Sequence, residues 1–195
     1  ALDADTQTAI QTTLDGMRTS VGDMSKILGL GADALSGFTA SLNVSTFGLS
    51  EDAAAKALQE ALTGIGDSMA TAVLKTTEYA KAGETALATI TRLSQALPTV
   101  NAVLAMLGNA LYATGLSGAN AASKLADAFG GLDALANASK SYFDLFFTDA
   151  EKLAAETKAL QTEFTKLGAA MPVTRDQYRA MIDAQDLSTD AGRAM

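Results

Sequence analysis

Ile10-Gln11-Thr12-Thr13-Leu14-Asp15-Gly16-Met17-Arg18-Thr19-Ser20-Val21-Gly22-Asp23-Met24-Ser25-Lys26-Ile27-Leu28 sets the reading of the whole chain. Ile10, Leu14, Met17, Val21, Met24 and Leu28 recur every three or four residues, the spacing of one apolar face on an α-helix. A helix is therefore expected over 3–28, ended by Gly29 and Gly31. The same period returns in Ala57, Leu58, Leu62, Ile65, Met69, Val73 and Leu74. Ser50 caps that second helix, with Glu51 and Asp52 favourably placed in its first turn, and Gly64 and Gly66 weaken its middle.

Further helices follow. One starts near Glu84 and carries Leu87, Ile90, Leu93 and Leu97; Pro98 either kinks it or starts a new helix. Shorter helices are expected at 119–129 and 131–147, parted by Gly130-Gly131. Thr148 with Glu151 forms a capping-box pattern opening a helix to about Gly168. Thr174 with Gln177 opens another, and Ser188 caps one more near the chain end. With only two prolines in 195 residues, the fold class is mainly α: multi-helix and broken, with room to be elongated.

One segment differs. In Phe38-Thr39-Ala40-Ser41-Leu42-Asn43-Val44-Ser45-Thr46-Phe47 apolar and polar residues alternate, which predicts a short strand at 38–47. A lone strand leaves its backbone donors and acceptors unpaired, so its partner would lie outside this sequence. The alternative is a connector. Three regions result: 1–49 with a helix and the strand, 50–147 helical, and 148–195 with the C-terminal helices. The chain opens at Ala1 without a methionine, and no basic-then-apolar leader is visible. The expectation is a piece of a larger protein.

Composition narrows the chemistry. The formal net charge is −8, with no histidine and no cysteine. A Ser-His-Asp or Cys-His nucleophile is excluded, as is a thiolate or imidazole metal site. Specific nucleic-acid binding is not expected, because it needs clustered Lys and Arg. Glu51 with Asp52, and Asp149 with Glu151, sit where helix starts favour acids, so they read as caps rather than acid–base pairs. No loop of alternating acids suggests Ca²⁺, and no lysine follows Gly66 to make a phosphate loop. No catalytic residue, cofactor or metal is expected.

Two apolar features remain. Tyr142, Phe143, Phe146 and Phe147 cluster near the end of one helix, with Phe143, Phe146 and Phe147 on one face. They read as core, with an interaction patch as the alternative, as do Phe38, Leu42 and Val44 of the expected strand. The second feature is a gap in charge over 93–123, broken only by the ionisable Tyr112. Residues 96–116 reach the roughly 20 needed to span a bilayer. Pro98, Asn101 and Asn109 make the stretch less apolar than a leucine-rich span, so a helix buried among others is expected; membrane activity is the alternative.

Several phrases bear a family resemblance. Ala32-Asp33-Ala34-Leu35-Ser36-Gly37-Phe38-Thr39-Ala40-Ser41-Leu42-Asn43-Val44-Ser45 is followed by Gly48-Leu49-Ser50-Glu51. Lys81-Ala82-Gly83-Glu84-Thr85 is another. Pro172-Val173-Thr174-Arg175-Asp176-Gln177-Tyr178-Arg179 continues to Asp186-Leu187-Ser188-Thr189-Asp190-Ala191-Gly192-Arg193. Over about residues 25–195 the chain resembles the C-terminal region of tail tape-measure proteins of long-tailed phages and prophages. That resemblance implies a structural virion component that sets tail length, takes part in tail-tip assembly and leaves ahead of the genome at ejection. It implies several copies, commonly three, with tail tube and tail-tip proteins and assembly chaperones as partners. The location implied is the tail lumen near the tip, and the host cytoplasm during assembly. Contact with the host membrane would come at ejection. The resemblance carries no catalytic residue. A continuous helix of this length would span roughly 290 Å. The caps and breaks predict instead a terminal domain of about seven elements.

Overall fold

The structure is a computed structural model describing residues 4–31, 33–42, 44–45 and 48–184. Seven helices follow one another among them: α1 (Ala4–Ile27), α2 (Glu51–Leu74), α3 (Ala86–Met106), α4 (Leu116–Ala128), α5 (Leu132–Phe146), α6 (Asp149–Lys166) and α7 (Arg175–Asp183). The chain is mainly α, as its periodicity predicts.

The helices group into two compact units. The first takes the described residues up to Ala102 together with Leu111–Asn137; the second takes Val103–Ala110 and the described residues from Ala138 onward. The core of the first is built from the stripes read in the sequence. Val21 of α1 and Leu28 just past its end, Ile65, Met69 and Val73 of α2, and Ile90, Leu93, Leu97 and Val100 of α3 are all buried. Each such side chain contributes about 1.5–3 kcal/mol relative to exposure. On α4 the buried residues are small (Ala119, Ala122, Ser123 and Ala126), which lets its backbone come close to its neighbours.

Helix ends follow their residues. Gly29 adopts φ +65, and the two bonds Leu30 N–H to Ser25 O and Gly29 N–H to Lys26 O, both 2.9 Å, close α1 in a Schellman turn. Gly108, φ +72, ends α3 the same way. Ser50 Oγ accepts from Ala53 N–H, as expected of an N-cap. Thr148 and Glu151 form the full reciprocal capping box. At α7 the Thr174 hydroxyl accepts from Gln177 N–H, but the Gln177 side chain reaches back to Val173 N–H rather than to the cap residue.

Two expectations need restating, the strand and the start of α4. No strand is present among the described residues: 38–42 and 44–45 carry no regular secondary structure. Asn43, Thr46 and Phe47 lie outside the described residues. The alternation marks burial only in part: Phe38, Leu42 and Val44 are half-buried, while Ala40 is exposed along with Thr39, Ser41 and Ser45. It did not bring a ladder partner, and one backbone group is met by a side chain instead: Arg18 Nη2 donates to Phe38 O at 2.6 Å. α2 runs unbroken through Gly64 and Gly66, and α3 contains Pro98 as one helix. The helix expected at 119–129 starts three residues earlier, at Leu116. The Ser188 cap and the phrase Asp186–Arg193 lie outside the described residues.

Candidate functional site

The most connected polar cluster is in the first unit, around Glu84 and Arg92. Three residues before Glu84 the chain turns, with Glu84 N–H donating to Lys81 O and Gly83 at φ +76. That turn points the Glu84 carboxylate along α3 to Arg92, two turns into the helix. Arg92 Nε donates to Glu84 Oε1 and Arg92 Nη2 to Oε2, both at 2.7 Å, a bidentate pair. Glu84 Oε2 also accepts from Lys81 N–H at 2.9 Å and from the Thr89 hydroxyl at 3.0 Å.

The remaining Arg92 donors reach outward to other elements. Nη2 donates to Tyr79 O at 2.7 Å and Nη1 to Ser123 Oγ of α4 at 2.8 Å. One guanidinium therefore fastens the 75–85 connector, α3 and α4. The side chains of Arg92 and Glu84 are only 18% and 13% exposed. Hydrogen bonding from Arg92, ahead of the opposing effect of burial, lowers the Glu84 pKa from 4.5 to about 2. The hydrogen bond to Glu84 likewise raises that of Arg92. Lys81 Nζ adds a half-exposed ion pair to Asp127 at 2.8 Å. The cluster is thus filled by ties between elements, and every donor named above ends on a protein acceptor.

The sequence reading did not single out this pair. Its signals were the phrase Lys81–Thr85, which supplies the turn, and the position of Arg92 at the edge of the long charge gap. Nothing in residue spacing reveals that Ser123, far along the chain, completes the site.

The uncharged stretch is folded back on itself. The side-chain amide of Asn101 on α3 donates to Tyr112 O at 3.0 Å, and its oxygen accepts from Tyr112 N–H at 2.8 Å. Residues 96–116 are thereby split between α3, a loop after Met106 and the start of α4. Gly118, in the first turn of α4, lies against that loop: a Cβ there would lie 1.9 Å from Ala113 O. Among the described residues, no helix is long and apolar enough to cross a membrane.

The seven apolar residues singled out as interaction candidates fall into the two units. Phe38, Leu42 and Val44 belong to the first; a recess of about 160 Å³ is bordered by Phe38, Ala40, Leu14, Arg18 and Met69. Tyr142, Phe143, Phe146 and Phe147 belong to the second. Phe143 is buried and packs against Phe147 with the rings tilted by 40° and their centroids 4.7 Å apart. Tyr142 stacks on Phe146 at 5.1 Å, yet these rings are 52% and 71% exposed, beside Leu145 at 77%. The core reading therefore holds for Phe143 and is corrected for Tyr142 and Phe146, which α5 places on the outer side. The end of α5 is held to α6 by Lys152 Nζ donating to Asp144 O at 2.8 Å. Lys140, paired with the Asp144 carboxylate at 2.6 Å, holds that carboxyl below the usual range.

Among the described residues no group of three or more acidic side chains converges as a metal site would need. No protein-family model matches the chain, and neither a curated protein nor a solved structure matches it significantly.

Proposed function

We propose that this chain is a structural, non-enzymatic component of a phage tail, the tip-proximal C-terminal region of a tape-measure protein. The observation that carries the reading is how the Lys81–Thr85 phrase is used. This phrase, one of those resembling tape-measure proteins, builds the turn that aims Glu84 at Arg92, and the pair ties the 75–85 connector to α3 and α4. That use of its residues supports a structural role over a catalytic one. The broken helices fit a terminal domain, because a measuring rod would need one sustained helix. The partners of this reading are further copies of the chain, tail tube and tail-tip proteins, and assembly chaperones. Its place is the tail lumen near the tip, with the host cytoplasm as the site of assembly.

In-frame removal of residues 149–184 from the parent gene tests the reading. Loss of assembled tails or of infectivity is the expected result. Intact tails shortened by about 1.5 Å per deleted residue would overturn it in favour of a ruler segment. The membrane-active alternative for 96–116 has no comparable support, given the Asn101–Tyr112 tie. Leakage of vesicles exposed to the protein would revive it.

A further inference from the structure

Helix α6 is 18 residues long and none of its residues is buried. Isolated helices of that length are marginal in water, so α6 needs a surface to pack on. Its apolar residues are ordered. Leu153, Leu160 and the C-cap residue Leu167, 66%, 53% and 45% exposed, follow one another at seven-residue steps. Ala150, Thr157 and the half-buried Phe164 each stand three residues before one of them. That is a short heptad seam, with leucine at each d position.

The flanks of the seam argue for its occupant. On one side stand Asp149, Glu156 and Glu163; on the other stand the uncharged Ala154 and Gln161. Two copies laid antiparallel would face the acidic flank with itself, which like-charge repulsion opposes. Two copies laid parallel face it with the uncharged flank, and Glu156 of each meets Gln161 of the other, an amide donor against a carboxylate. The small residues at 150 and 157 keep the two backbones close. We infer that α6 is the seam along which a second copy of this chain pairs, in parallel and in register. This deepens the self-association proposed above by naming its face, orientation and contacts.

The chain has no cysteine, so a single introduced thiol reports on its neighbours cleanly. Sedimentation of the full chain should show a mass above the 19.9 kDa of one copy that rises with concentration. Leu153→Cys should oxidise to a covalent dimer, because position 153 meets itself only in the parallel register. Thr162→Cys, on the opposite side of α6, should not. Leu153→Glu combined with Leu160→Glu should weaken pairing at least about tenfold, as burial of unpaired charge would be required. Both leucines are exposed within one copy, so circular dichroism should show the fold retained. A monomer at every concentration would overturn the inference, as would equal cross-linking from positions 153 and 162. A double variant that still pairs normally would overturn the seam and leave self-association standing.

Discussion

Asp67 on α2 caps α3 from outside that helix: its Oδ1 accepts the Leu87 backbone N–H at 2.9 Å. The next free donor, Ala88 N–H, goes to Thr85 Oγ1 at 3.2 Å. The two first-turn groups are thus met by one local and one distant side chain, and α3 has no acid of its own in that turn. Asp67→Ala should lower unfolding free energy by about 1 kcal/mol, and Asp67→Asn by less because an acceptor oxygen remains. Urea denaturation of the three proteins measures this; equal loss in both variants would show that charge rather than the cap matters.

Glu84 sets a pH window. Its carboxyl pKa is depressed in the fold to about 2 from 4.5. The unfolded chain therefore takes up the proton first, and the pair's stabilisation is complete above about 4.5 and fades as pH falls towards 2. Glu84→Gln should be less stable than the parent by about 3 kcal/mol at neutral pH, with the gap closing across that acid window. Thermal unfolding of both proteins between pH 7 and pH 2 checks it. A gap that stays constant with pH would mean the carboxylate charge is not what holds Arg92.

Glycines in helices should separate by what surrounds them. At Gly118 an added methyl meets the Ala113 carbonyl, which is backbone and cannot rotate away. Gly118→Ala should cost about 1–3 kcal/mol or more, with the 109–115 loop displaced. Gly64, inside α2, has nothing within 4 Å of the same position. Gly64→Ala should stabilise by about 1 kcal/mol through helix propensity. Paired melting curves decide the matter, since the two substitutions are expected to move the midpoint in opposite directions.

Asn101→Ala removes both bonds to Tyr112 at once. The expected loss is about 1–3 kcal/mol, since a half-buried peptide group is left without partners. Hydrogen exchange at the Tyr112 amide should speed up, while amides within α1 and α2 should change little. Uniform acceleration across the chain would instead place Asn101 in the global unfolding unit.

Much of the helical layout is legible from residues alone because the information is local. Ile10 to Leu28 repeats every turn, and Ser50, Thr148 and Thr174 act on groups three residues away. What escapes is long-range. The pairings Arg92 with Ser123, Asp67 with Leu87 and Asn101 with Tyr112 depend on which helices meet, and no period encodes that. The strand expectation at 38–47 failed for a related reason. Alternation shows which side chains turn inward, whereas a strand also needs a second backbone beside it. Phe146 was misplaced because one helical face was taken as wholly inward, while α5 buries only the part bearing Phe143.

The chain path through the two units limits how this region can be inherited. One unit borrows Val103–Ala110 from within the span of the other, so the chain passes between them more than once. A gene segment beginning at Ala138 would encode α6 and α7 without the eight residues their unit draws from upstream. An exchange of contiguous sequence that keeps this unit intact must therefore carry Val103–Ala110 together with α6 and α7. Swaps made at the 137–138 boundary should yield insoluble chimeras, whereas an exchange of residues 1–195 entire should not.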